Sequence, residues 1–250
     1  MLHFFRRIRQ KLITDGHLSK YLIYALGEIL LVVAGILIAL QINNWNQNNN
    51  NEKLETTYLE RLKKDLRKDS SRMNAHMHLL EVKADILQSL LKEQLDSIDY
   101  IANVRNPYSI FATRSIHTAN LNTATFDDLI STGNIANIKD IELRDSIITY
   151  YTVTKRHEKI LSNKLSDWSQ RISELIPGEM GLYARSGQKK PTTEQINHLK
   201  ENLRMNLTEL KPSINAELNH TGLQYDYNKS TQDYNKQLLT IIDEKLSERF

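Results

Sequence analysis

The pattern of hydrophobic and polar positions along the chain changes near residue 43. Residues 21–40 are almost entirely apolar and carry a single charge, Glu28. At about 1.5 Å of rise per residue this run is roughly 30 Å long, which matches the hydrocarbon core of a bilayer. The pattern therefore predicts a transmembrane helix at residues 21–42.

Beyond residue 52, apolar residues recur every three to four positions, as in an amphipathic helix. The first long helix is expected to run from Glu52 to Asn106-Pro107. A second is expected to follow Asp140 as N-cap and to end at Pro177-Gly178. Short connections favour antiparallel neighbours. The predicted fold class is all-α, with one N-terminal transmembrane helix followed by an elongated antiparallel helical bundle at residues 52–250.

Capping residues predict further helix ends. Thr125 is expected to cap a short helix, and Gly133 fits the C′ position of that helix. Thr192 with Gln195 resembles a capping box for a later helix, which Pro212 is expected to break. A last helix is then expected to run close to the C-terminus.

Basic residues lie on one side of the predicted span only. Segment 1–20 contains five Lys or Arg residues and one Asp, whereas residues 43–52 contain no Lys or Arg. The positive-inside rule therefore places the N-terminus in the cytoplasm and the large domain outside it. The residues on which this topology depends are Arg6, Arg7, Arg9, Lys11 and Lys20, with Trp45 at the far interface.

Both segments that flank the span have two interpretations. Segment 1–20 has apolar residues at helical spacing and fits a short helix on the membrane surface, or flanking charge that only sets topology. The Asn-rich segment 43–51 is either a joint or part of a continuous helix. The apolar run is longer than a signal-peptide core and no small-x-small site follows it, which favours an uncleaved anchor.

One face of the predicted span combines an acid with small residues. Counted by helical turns, this face contains Tyr24, Glu28, Leu31, Gly35 and Ala39. A carboxylate inside a span costs a few kcal/mol and usually faces protein or water. The spacing of Gly35 and Ala39 lets a second helix approach closely, so we predict a helix–helix contact here. The alternative needs no partner, because Glu28 lies only about 10 Å into the core and can draw water from the inner surface.

Composition and missing motifs exclude several classes of function. The net charge of +3 is too small to predict nucleic-acid binding, and no zinc-finger or RNP pattern occurs. The chain has no cysteine, which excludes disulfides, thiolate metal sites and thiol catalysis. No nucleophile elbow, P-loop or dinucleotide fingerprint occurs. We therefore expect a protein that is not an enzyme and that needs no cofactor.

Two side-chain clusters make a weaker case for ligand binding. Met73, His76 and Met77 share one helix face and could hold copper(I). Methionine is also a common gap filler in cores, so no metal site is predicted. The tyrosines of the last helix, Tyr225, Tyr227 and Tyr234, could line a ligand surface, but tyrosine fills helix seams equally well.

Two stretches of the sequence resemble a known family. FFRRIRQKLITDG, followed by KYLIYALGEILLVVAGILIALQINNWN, is similar to the N-terminal signature of an uncharacterised family of single-span membrane proteins of Bacteroidota, the domain of unknown function 6090. Residues 129–134, with Leu143 and Tyr150-Tyr151, resemble the middle of that family. The resemblance implies a Gram-negative inner membrane and a periplasmic domain. It implies no activity.

Three functions fit these observations. The first is a non-enzymatic, membrane-anchored interaction or scaffold protein, whose periplasmic bundle self-associates or docks on a membrane complex. The second is a transducer subunit that couples to an ion gradient through Glu28, an architectural analogy. The third is a periplasmic sensor of small molecules. The expected partners are the lipid bilayer and either a second copy or another membrane protein.

Overall fold

The computed structural model describes residues 18–95, 121–162, 171 and 192–248. In these residues the chain forms four α-helices and a 3₁₀ turn at Asn134–Asn137. The helices are α1 (Leu18–Leu91), α2 (Ala124–Ser131), α3 (Ile141–Ser162) and α4 (Thr193–Ser247). The prediction of an all-α fold is confirmed. The contacts divide the chain into two units, Met1–Glu55 and Thr56–Phe250.

The first unit contains the apolar half of α1. Residues 43–51 are helical and lie inside α1, so the Asn-rich segment is part of a continuous helix. No proline or glycine occurs between residues 43 and 51 to interrupt the backbone hydrogen bonds. Asparagine lowers helix propensity by less than about 1 kcal/mol per residue.

α1 ends at Leu91, earlier than the sequence indicated, and the prediction that this helix continues to Asn106-Pro107 is wrong. The reason is local, because Glu93 adopts a left-handed backbone conformation with φ of 63°. The amide of Gln94 then donates to the carbonyl of Ser89 at 2.9 Å. This is the hydrogen bond that closes a Schellman motif at a helix end.

The two predicted ends of the short helix have different outcomes. Gly133 follows α2 with φ of 73°, which confirms it as the C′ glycine. The prediction that Thr125 is the cap is wrong, because the helix begins at Ala124 and Thr123 is its N-cap. Thr125 is buried two residues further on, and its hydroxyl donates to Asp65 Oδ2 at 2.5 Å.

The starts of α3 and α4 follow their predicted caps. Asp140 Oδ1 accepts the amide of Leu143 at 3.1 Å, so Asp140 is the N-cap of α3. Thr192 directly precedes α4, and its carbonyl accepts the amide of Ile196 at 3.1 Å. The expected end of α3 at Pro177-Gly178 and the side chain of Gln195 lie outside the described residues.

The predicted break at Pro212 is wrong, since Pro212 lies inside α4. Proline has no N–H and usually costs a helix interior about 3 kcal/mol. The residues around it offset this cost, because Leu207, Leu210 and Ile214 are buried in one apolar cluster with α1. Each such side chain contributes about 1.5–3 kcal/mol when it is buried. Tertiary packing therefore outweighs the local preference.

Within the described residues of the second unit, the core consists of two apolar clusters with polar residues between them. The first cluster joins residues 58–66 of α1 to α2, α3 and residues 238–246 of α4. The second joins residues 86–95, around the end of α1, to residues 199–214 of α4. The buried polar residues between them are here called the polar seam: Asp69, His76 and Lys83 of α1, and Glu217, His220, Thr221, Gln224, Asn228, Thr231, Gln232 and Asn235 of α4.

Candidate functional site

The apolar part of α1 is exposed around its whole circumference. Every side chain from Leu26 to Leu40 is exposed, and none of the 18 most apolar consecutive residues is buried. By length and composition this helix can cross a membrane. Exposed apolar surface of this extent has a large unfavourable free energy in water and needs lipid or protein to cover it.

The predicted contact face is part of this exposed surface. Glu28, Leu31, Gly35 and Ala39 are all exposed, and a Cβ added to Gly35 would meet no atom within 4 Å. Among the described residues of the first unit, the small residues of this face are therefore not used for packing. Trp45 is 70% exposed. The side chains of Tyr24 and Lys20, and all of Arg6, Arg7, Arg9 and Lys11, lie outside the described residues.

The polar seam is the second feature that could carry function. Asn235 Nδ2 donates to the carbonyl of Leu66 at 3.1 Å, and Gln232 Nε2 donates to Ser70 Oγ at 2.9 Å. His76 and Lys83 contact α4 further along. As the residue numbers increase along α1, the numbers of their partners on α4 decrease, so the two helices run antiparallel. Along this length they make nearly one polar contact per helical turn.

Lys83 and Glu217 form the charged part of the seam. Their ammonium and carboxylate groups are hydrogen-bonded to each other, and both side chains are buried. Ions inside a protein are tolerated when they are paired and hydrogen-bonded. The pair neutralises its own charge, so it fixes the position of two helices rather than offering a free acid or base.

His76 is the imidazole of the seam, and its Nδ1 lies 3.4 Å from Asn228 Oδ1. Burial lowers the pKa of His76, and the nearby charge of Lys83 acts in the same direction. The ring is therefore neutral at pH 7. Met73 is fully buried on the same helix face and Met77 is half-buried, so both methionines belong to the helix packing.

A small cleft lies beside the seam, between α3 and α4. Its lining includes Thr154, His157, Tyr227 and Thr231. The rings of His157 and Tyr227 are stacked 4.4 Å apart, and His157 Nδ1 lies 3.1 Å from Thr231 Oγ1. The cleft has a volume of about 20 Å³, which is room for about one water molecule. Tyr227 therefore packs against a neighbouring ring here instead of lining a drug-sized pocket.

Residues 28–174 of the chain match a known protein family. The model of a family of unknown function, DUF6090, matches residues 28–174, which is more than half of the chain. The chain belongs to this family. No curated protein and no solved structure matches the chain.

The DUF6090 match begins within the apolar segment, includes α2 and α3, and ends at residue 174. In this region Asn134 Nδ2 donates to the hydroxyl of Tyr58 at 3.0 Å, and that hydroxyl lies 3.3 Å from Asp128 Oδ2. Arg61 Nη1 lies 2.9 Å from the same Asp128 oxygen. Gly133 supplies the left-handed turn that brings Asn134 back toward α1. Asp128 and Asn134 thus attach α2 and the turn after it to α1.

The polar seam is the feature that sequence reasoning missed. Gln224, Asn228 and Asn235 have the composition of a solvated face, yet each is at least nine-tenths buried. The available indication was their spacing, because polar residues recur every three or four positions from 217 to 235, in line with the apolar residues Leu238 and Ile242. A buried helical face continued by polar residues is recognisable only when the partner helix is known.

Proposed function

We propose that this DUF6090 protein is a membrane-anchored interaction protein without enzymatic activity. In this proposal the span holds the chain in the inner membrane of a bacterium, with the N-terminus in the cytoplasm. The helical domain lies in the periplasm, where it self-associates or docks on a membrane-protein complex. The observation that carries the proposal is the exposed apolar segment from Leu26 to Leu40, which needs a non-aqueous environment.

The orientation rests on charge. Arg and Lys residues lie before the span and none lies in residues 43–52, which favours retention of the N-terminal side in the cytoplasm. Thiol labelling tests this directly, because the chain has no cysteine of its own. Asn48→Cys should react with a membrane-impermeant maleimide in intact spheroplasts, whereas Thr14→Cys should react only after lysis. The reverse pattern would overturn the orientation.

The partner is expected on the Gly35 and Ala39 face of the span. Small residues let two helices approach closely, and a polar side chain such as Glu28 can hydrogen-bond across such a contact. Val33 and Leu37 lie on the opposite face at helical spacing and are equally exposed, so they are matched controls.

Cross-linking in native membranes then separates the two forms of the proposal. Oxidation of Gly35→Cys or Ala39→Cys should give disulfide-linked dimers if the chain self-associates, whereas Val33→Cys and Leu37→Cys should not. A photoreactive residue at positions 35 and 39 should give a larger adduct with another protein if the chain docks on a complex. Equal cross-linking on both faces, or none at any position, would contradict a specific contact.

A second candidate, coupling to an ion gradient, is favoured by one observation, the acid Glu28 inside the apolar segment. An ionisable residue in a span is a functional-site hypothesis by default. Glu28→Gln retains hydrogen bonding but removes titration. Assembly that survives in Glu28→Gln and fails in Glu28→Leu would identify a structural hydrogen bond. A Glu28→Gln variant that assembles normally but does not replace the wild-type gene in a deletion strain would favour the transducer.

A further inference from the structure

Residues 61–72 of α1 carry their acids and their cations on different sides of the helix. Asp65 accepts the hydroxyl of Thr125 at 2.5 Å, and the buried Asp69 accepts the backbone N–H of Asn122 at 3.0 Å. Both carboxylates therefore face the segment that leads into α2. The cations lie on the solvent-facing side, here called the basic ridge: Arg61, Lys64, Arg67, Lys68 and Arg72, with Lys63 half-buried at its edge.

Two carboxylates from other helices lie at the edges of the basic ridge. Asp128 Oδ2 of α2 lies 2.9 Å from Arg61 Nη1, and Asp243 Oδ2 of α4 lies 3.6 Å from Arg67 Nη2. Arg61 and Arg67 are about 120° apart around the helix axis, at 3.6 residues per turn. The two acids therefore lie on either side of the ridge, and each holds an arginine at its own edge.

Lys64 and Lys68 occupy the centre of the ridge, one turn apart, and both side chains are exposed. Among the described residues, no carboxylate lies within ion-pair distance of either ammonium group. Ser71 continues the same line with a small exposed side chain, and the exposed acid Glu60 lies one turn before Lys64. The centre of the ridge can therefore pair with anions from outside the chain.

We propose that the basic ridge is a docking surface for an acidic segment of another protein, whose carboxylates pair with Lys64 and Lys68. Complementary charge gives such a contact its specificity and speeds its formation. The exposed face of a single helix is convex, so it fits an extended partner better than a small anion. From Arg61 to Arg72 the ridge is roughly 16 Å long, which corresponds to about three turns of a partner helix.

The acids at the edges favour a narrow partner over a layer of anionic lipid. Asp128 and Asp243 are each more than one-third exposed, so a flat bilayer surface that covered the ridge would bring its phosphates toward both carboxylates. Like charges in contact cost free energy and reject the wrong partner. A narrow acidic segment that contacts Lys64 and Lys68 between the two edges avoids this cost.

This inference rests on the proposed interaction function, but it concerns the second unit and not the span face. Site-specific photo-cross-linking of the full chain in native membranes tests it, with the photoreactive residue at Ser71. The expected result is a protein adduct whose cross-linked peptide, identified by mass spectrometry, is acidic. Raising the salt concentration from about 50 mM to about 500 mM should reduce the adduct, because exposed charges are then screened.

Two double variants make the test specific. Lys64→Glu with Lys68→Glu should reduce the adduct about ten-fold or more, because attraction becomes repulsion. Lys229→Glu with Lys236→Glu changes the net charge equally at exposed positions of α4 and should leave the adduct unchanged. If circular dichroism shows that the first variant does not fold, Lys64→Gln with Lys68→Gln replaces it, with an expected reduction of about three-fold.

Several results would overturn the docking surface: no protein adduct at Ser71, an adduct with phospholipid, a cross-linked peptide that is not acidic, or an adduct that persists after charge reversal. Cross-linking at Gly35 in the same membranes keeps the two proposals apart. A contact at the span face without an adduct at Ser71 contradicts the basic ridge alone, whereas the absence of both contradicts the interaction function as well.

Discussion

Lys83 and Glu217 form an ion pair in the interior of the second unit, where their side chains are 2% and 6% exposed. The pair lies at the end of the polar seam, next to the apolar cluster that contains Ile86 and Ile214. Removing two charges from water costs several kcal/mol per ion, and their attraction repays this cost only when both partners are present. The pair therefore constrains the register of α1 against α4 more than it adds net stability.

Single substitutions of this pair should be strongly destabilising. Lys83→Met leaves the Glu217 carboxylate buried without its cation, and Glu217→Leu leaves the Lys83 ammonium without its anion. We expect each to lower the free energy of unfolding by about 3–5 kcal/mol. Denaturant unfolding of the full chain in detergent, followed by circular dichroism, measures the change.

The double variant Lys83→Met with Glu217→Leu should recover most of that loss, because neither charge is then buried alone. Lys155, whose Nζ lies 3.2 Å from Asp127 Oδ1 with both side chains more than half exposed, provides the matched control. Lys155→Met should change the stability by less than about 1 kcal/mol. A double variant as unstable as the single ones would contradict the explanation from isolated charges.

The apolar periodicity predicted much of this fold. Leu62, Leu66, Leu80 and Leu87 recur at helical spacing on α1 and are all buried. Periodicity reports which face of a helix is buried when that face is apolar. Asn228 gives no such indication, because its burial depends on His76, which lies 152 positions away in the sequence. The polar seam therefore required tertiary information.

Local chemistry also limited the prediction of helix ends. Gly133 and Asp140 have specific backbone roles, a positive φ and an N-cap hydrogen bond, and the predictions based on them are confirmed. The end of α1 has no such residue, since positions 91–94 read Leu-Lys-Glu-Gln, all good helix formers. The span face with Glu28 and Gly35 stays a prediction.

His76 should make the bundle less stable in acid. Burial lowers the pKa of His76 below its ordinary value of 6.5, so the unfolded chain binds the proton more readily than the folded chain. The stability that comes from neutral His76 is present above about pH 6.5 and is lost as the pH falls through the folded-state pKa. Thermal unfolding between pH 7.5 and pH 4.5 measures this loss.

The variant His76→Gln keeps a polar side chain near Asn228 but cannot titrate in this range. Its unfolding temperature should fall less steeply with acid than that of the wild type. His78 is exposed two residues further on, so His78→Gln should retain the wild-type slope. An unchanged slope in His76→Gln would show that other groups cause the acid sensitivity.

Glu93→Gly should stabilise the protein although it removes an ion pair. Glu93 has φ of 63°, a conformation that costs a non-glycine residue about 1–2 kcal/mol. Glycine removes this strain, but it also raises the conformational entropy of the unfolded chain, which offsets part of the gain. The expected net increase in the free energy of unfolding is about 0.5–1 kcal/mol. The lost contact of Glu93 with Lys211, at 2.9 Å on the surface, is worth little.

Glu93→Ala is the control for that substitution, because it loses the same contact with Lys211 but keeps the backbone strain. Denaturant midpoints of the two variants isolate the contribution of the left-handed conformation. If both variants have the same midpoint, the strain at residue 93 is not significant.

Pro212→Ala should also stabilise the bundle. Pro212 is exposed inside α4 and lacks the N–H that would donate to the carbonyl of Thr208. Alanine restores this hydrogen bond, and part of the gain is offset because proline restricts the unfolded chain. We expect an increase of about 1–3 kcal/mol in the free energy of unfolding. Met205→Ala, at another exposed position of α4, should change it by less than about 0.5 kcal/mol. A loss of stability in Pro212→Ala would instead mean that the local geometry at Pro212 is needed to align Ile214 and Glu217 with their partners on α1.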